Sequence, residues 1–145
     1  MFSISARLEA NLDADDLLVR YGLERGGRVQ QFIDQKVIDG CTPYVPASPN
    51  RTLEFSAQVS TEIGSGTVVW NTPYARYQYY GFVMTDEAGR TWVGPGETKP
   101  VITDRPLIYD TSQNRMAGPH WFERAKADNL SSWLDEARRV MIQGE

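Results

Sequence analysis

Apolar and polar positions alternate at the start of the chain, where Ile4, Ala6 and Leu8 interleave with Ser3, Ser5 and Arg7. This is the period-two pattern of a short strand that buries one face. The period then changes. Asp13 stands where it can cap a short helix carrying Leu17, Leu18 and Tyr21, with Asp15 and Asp16 placed favourably against the helix dipole. Gly22, Gly26 and Gly27 interrupt that helix, because each glycine disfavours a helix interior by roughly 1 kcal/mol. Val29, Phe32, Ile33 and Val37 resume a helical stripe and predict a second helix that ends near Gly40 and Pro43.

In the middle of the chain Leu53, Phe55, Ala57, Val59 and Ile63 keep to odd positions, and Gly64-Ser65-Gly66 leads into Thr67-Val68-Val69-Trp70. Together they predict a β-hairpin. Asn71-Thr72-Pro73 offers a cap and an N1 proline for a short aromatic helix over 74–80, which Gly81 terminates. Phe82-Val83-Met84 and Pro106-Leu107-Ile108-Tyr109 predict two further strands. Between them, residues 86–105 form a polar segment rich in glycine and proline, and about 20 residues exceed the usual loop of a compact domain. It is expected to be an assembly arm that orders against neighbours, with Trp92, Val93, Val101 and Ile102 as its apolar anchors. Pro119 opens a last helix on which Phe122, Ala125, Trp133, Leu134, Ala137, Val140 and Met141 largely follow helical spacing, while Asp135, Glu136, Arg138 and Arg139 cover the other side. The expected fold class is α+β: a small, mostly antiparallel sheet packed with N-terminal and C-terminal helices and carrying a long Gly/Pro-containing loop or arm.

Composition narrows the function classes. A length of 145 residues fits one domain over 1–145, and 41% hydrophobic with 23% charged residues is close to globular averages. No stretch approaches the roughly 18 apolar residues of a membrane helix, and no secretory leader is expected, so the chain is read as soluble, without membrane contact, and folding in the cytosol. A single cysteine, Cys41, excludes an intrachain disulfide, and with His120 as the single histidine there are too few soft ligands for structural zinc. No metal and no cofactor are expected. A net charge of -4 argues against a broad basic surface for nucleic acid.

Candidate chemistry is sparse. Cys41 and His120 could meet in space as nucleophile and base of a small enzyme, but Cys41 directly follows an apolar helical stripe, where a buried thiol is common. Gly64-Ser65-Gly66 lacks the third glycine of a dinucleotide fingerprint, and Gly94-Pro95-Gly96-Glu97-Thr98-Lys99 lacks the ending of a phosphate loop. Asp15 with Asp16, or Glu123 with Asp128, are nominal acid–base pairs better explained by helix dipoles and solvation. No catalytic residue is assigned. The aromatic cluster of Trp70, Tyr74, Tyr77, Tyr79 and Tyr80, interleaved with Arg76, has three readings: core, a subunit interface, or a stacking surface for single-stranded nucleic acid.

The order of motifs carries a resemblance. Gly22-Leu23-Glu24-Arg25-Gly26-Gly27-Arg28-Val29-Gln30, then Thr42-Pro43-Tyr44-Val45-Pro46, then the block from Val68-Val69-Trp70-Asn71-Thr72-Pro73-Tyr74 through Ala75-Arg76-Tyr77-Gln78-Tyr79-Tyr80-Gly81, then His120-Trp121-Phe122-Glu123-Arg124-Ala125-Lys126 resemble the minor capsid protein family of tailed bacteriophages. The resemblance covers residues 22–140. One departure is that Ala47-Ser48-Pro49-Asn50-Arg51-Thr52 stands where the family usually carries Asp-Thr-Gly before the leucine. The resemblance implies a structural virion protein related to neck and tail-completion proteins at the head–tail junction. It further implies a ring of copies, a hexamer or dodecamer, with neighbouring neck and tail proteins as partners and DNA at most passing through the lumen. A closed ring needs a heterologous interface made of two different patches per subunit. Tyr74, Arg76, Tyr77, Tyr79 and Tyr80, with Trp92, Val93, Val101 and Ile102, are the candidate residues for one of them.

Overall fold

The structure, a computed structural model, describes residues 1–7, 19–47, 50–92, 94 and 97–143. Of the helix expected to carry Leu17, Leu18 and Tyr21, residues 19–21 are described and are helical, whereas Asp13, Leu17 and Leu18, the acid pair Asp15 and Asp16, and Val93 lie outside the described residues. The class is α+β, with helices packed on two small antiparallel sheets of two strands each.

Strand β1 (Phe2–Ser5) pairs antiparallel with β2 (Thr67–Trp70), with Phe2 opposite Trp70 and Ser5 opposite Thr67. Helix α1 (Arg28–Cys41) turns Val29, Ile33, Val37 and Cys41 inward, as the stripe predicts. It runs into a single 3-10 turn over Thr42–Tyr44. The last helix, α4 (Trp121–Gln143), packs along α1. Gly40 is the point of close approach: a Cβ there would stand 2.5 Å from Cζ2 of Trp133. Arg28 locks the other end of the pair, its guanidinium donating to the carbonyls of Val140 (3.3 Å) and Met141 (3.0 Å) in the last turns of α4. Those carbonyls lie where a helix runs out of internal donors.

Two expected elements are corrected. Residues 52–60 are not the first strand of a hairpin but a helix, α2 (Thr52–Ser60). Apolar residues on successive odd positions contain both an i, i+2 and an i, i+4 spacing, so the pattern fits strand and helix alike. Burial separates them: Leu53 and Ala57, four apart, are inside, whereas Phe55 and Val59, also four apart, are 57% and 84% exposed. The strand partner of β2 is supplied by the N-terminus instead.

The second correction concerns the segment 86–105. Its last part is strand β4 (Val101–Pro106), which pairs antiparallel with β3 (Phe82–Thr85), Met84 lying opposite Ile102. The strand expected over 106–109 is not formed beyond Pro106; Ile108 is 99% exposed. That run is held otherwise: the Leu107 N–H donates to Gly81 O (2.8 Å) and the Tyr109 hydroxyl to Gln78 O (2.5 Å). Burial pushes the Tyr109 phenol up to about 12. Both clamps sit at the end of helix α3 (Ala75–Tyr80), which Gly81 caps in the left-handed conformation at φ 83°, as its position predicts.

Between α2 and β2 the chain is fastened to α1 by a group the periodicity does not reveal. The buried Asp34 carboxylate accepts from the backbone N–H of Gly64 (2.7 Å) and Gly66 (3.1 Å) and from Nε2 of Gln30 (2.8 Å).

Candidate assembly surface

The aromatic cluster divides between core and surface. Trp70 is 1% exposed and Tyr79 is buried; with Phe2 and Trp121 they form a nest in which Phe2 stacks on Tyr79 at 3.9 Å and Trp70 meets Trp121 edge-on at 5.6 Å. The Tyr79 hydroxyl donates to the Glu123 carboxylate. Burial and that bond push the Tyr79 phenol far up, so it stays a neutral donor. Tyr80 is at the margin, exposed but edge-on to both Phe2 and Tyr79.

Tyr74 and Tyr77, three residues apart, are half-buried, Tyr74 still touching the core, and their open sides line a groove of about 660 Å³ together with Arg76, Met84, Trp92, Glu97 and Lys99. The groove runs between the start of α3 and the connection of the β3–β4 hairpin. The Lys99 ammonium lies over the Tyr77 ring, 4.5 Å from its centroid, a cation–π arrangement. Trp92 is 75% exposed, a large indole with little protein around it. Val101 and Ile102 are also exposed; they belong to β4 beside the groove, and Ile102 stands opposite the groove residue Met84. Tertiary structure therefore brings Tyr74, Arg76, Tyr77 and Trp92 to one groove and removes Tyr79 from it. Lys99, Glu97 and Met84 also line the groove and were not candidate interface residues in the sequence, because nothing in the polar segment around Lys99 marks it as facing an aromatic ring.

The nominal chemical groups are otherwise engaged. Cys41 is fully buried at the end of α1, and desolvation, with the nearby Glu123 charge, pushes its thiol strongly up. An activated nucleophile needs the opposite shift. His120 is exposed beside the rings of Tyr79 and Tyr80. Asp128 accepts from the Tyr44 hydroxyl as Glu123 does from Tyr79, so both carboxylates serve as tyrosine acceptors. The Gly64 and Gly66 N–H groups, which a phosphate would need, point at Asp34. Among the described residues no group of three or more His, Cys, Asp or Glu could hold a metal, and no described helix is long and apolar enough to cross a membrane. The folded protein is expected to resist thiol alkylation at Cys41 until it is denatured, a comparison that one mass spectrum with and without denaturant makes. Rapid labelling of the native chain would contradict this burial.

These features define a small α+β domain whose conspicuous surface is an aromatic groove rather than a reaction centre. Residues 18–141 match the family model described as Minor capsid protein, and the chain belongs to that family of phage structural proteins. None of the curated proteins and none of the solved structures matches the chain. A structural capsid family implies a virion component with a non-enzymatic role.

Proposed function

We propose that this chain is a neck or tail-completion subunit, folding as one domain over 1–145 in the host cytoplasm and joining head to tail in the particle as a ring of identical copies. The observation that carries the reading is the family match over nearly the whole described fold. It is supported by the surface around the β3–β4 hairpin, where Tyr80, Phe82, Trp92, Val101 and Ile102 are all exposed. Large aromatic and apolar side chains left in solvent on a small domain mark an interaction site. In this reading the groove and the exposed face of β4 form part of the contact between subunits, and neighbouring neck and tail proteins cover the two ends of the ring. DNA passes through the lumen without being bound.

Reconstruction of the particle tests this directly. Density for the chain is expected at the head–tail junction as a six- or twelve-fold ring. Density confined to the capsid shell, or to single copies without rotational order, would remove the neck assignment while leaving the family membership untouched.

A further inference from the structure

Resting on that ring reading, we infer that the aromatic groove of one subunit receives the outer face of helix α2 from the next subunit. On α2, Phe55 and Val59 lie four residues apart and so form one ridge, and both are largely exposed. Among the described residues no residue of α2 lines the groove. The ridge and the groove are thus separate patches on the same chain, as a heterologous contact requires. A convex apolar ridge of one helix and a concave groove walled by Tyr74, Tyr77 and Trp92 are complementary in shape and chemistry.

Charge selects the same occupant. Arg76 and Lys99 line the groove, and neither forms an ion pair with a described residue of its own chain; among the described lining residues Glu97 is the acidic one, and its carboxylate accepts from the Gly94 N–H (2.9 Å), so the cations remain in excess. Glu62, just beyond the C-terminal end of α2, is exposed and has no ion-pair partner among the described residues either. Seating the Phe55–Val59 ridge in a neighbour's groove puts the Glu62 carboxylate at the rim beside Arg76 and Lys99, neither of which has an ion-pair partner among the described residues, Lys99 resting on the Tyr77 ring. Such rim charges orient an apolar contact and select its partner.

The test combines charge reversal with cross-linking on the full chain. Sedimentation across a concentration series gives the assembly midpoint of wild type, of Glu62→Arg, of Arg76→Glu and of the double variant. Each single reversal is expected to raise the midpoint by about tenfold, and the double variant to recover most of it. Circular dichroism checks that these surface variants remain folded. Mixing Val59→Cys and Trp92→Cys chains under mild oxidation is expected to give a mixed disulfide dimer, with the buried Cys41 taking no part. If wild type assembles and the reversals assemble equally well without a mixed disulfide, the ring stands and this contact is wrong. If wild type stays monomeric throughout and no mixed disulfide forms, a second copy is not the occupant, and the ring itself is judged separately by the particle reconstruction. If groove variants fail to enter particles while ridge variants enter normally, the groove belongs to a different virion protein and the inference is overturned.

Discussion

Replacing Trp70 by alanine is expected to destabilise the protein by about 3 to 5 kcal/mol, the range for deleting a large aromatic side chain from a packed interior. The indole is 1% exposed and joins three parts of the fold. It lies on β2 opposite Phe2 of β1, and its ring meets Trp121, the first residue of α4. A cavity there is bordered by aromatic rings that cannot collapse without moving a strand or a helix. The same nest holds Tyr79, so the loss is also expected to loosen α3 and, with it, the Tyr74–Tyr77 wall of the groove. Denaturant unfolding followed by far-ultraviolet circular dichroism measures the change. A midpoint equal to wild type would mean that Trp70 is not in the core.

Asp34→Ala is expected to destabilise the chain by about 2 to 4 kcal/mol, through a different mechanism. Its carboxylate is buried and accepts three hydrogen bonds, two of them from the backbone N–H groups of Gly64 and Gly66. Removing it leaves both donors without an acceptor in a site that water does not readily reach, at roughly 1 to 3 kcal/mol for each unsatisfied group. Asp34→Asn keeps the shape and one acceptor oxygen, so its effect should fall between wild type and alanine. Hydrogen exchange at the Gly64 and Gly66 amides gives a local readout and should accelerate in the alanine variant well before global unfolding. Equal exchange in wild type and variant would show that the turn is held by something else.

How much of the assembly surface could be read in advance differs residue by residue. The aromatic residues of 74–80 stand out in the sequence, but whether each ring is core or surface depends on which side of a six-residue helix faces Phe2 and Trp121, and those lie at opposite ends of the chain. Tyr79 is fully inside and Tyr77 only half-buried for that reason. Arg76 and Trp92 were legible as polar and aromatic candidates; their meeting in one groove was not, since it requires the β3–β4 hairpin to return beside α3.

The sequence by itself determined the features that local physics sets. The apolar stripe of α1, the stripe of α4 and the glycine that closes α3 each need only near neighbours along the chain, and each is where the pattern predicts, whereas the first strand forms but only over Phe2–Ser5, earlier than the Ile4–Ala6–Leu8 alternation places it. The block from Gly22 to Lys126 also carried enough order to indicate the family. Tertiary structure alone decided the rest. Residues 53–59 fit two periods equally well, and burial of Leu53 and Ala57 chose the helix. The partners of β2 and β3 are strands distant in sequence, one at the N-terminus and one inside the glycine-rich segment, and pairing energy is invisible until both edges are in place. Asp34 is the extreme case. On α1 it reads as an ordinary polar residue, and only the return of Gly64 and Gly66 to within hydrogen-bond reach makes it a buried anchor of the fold.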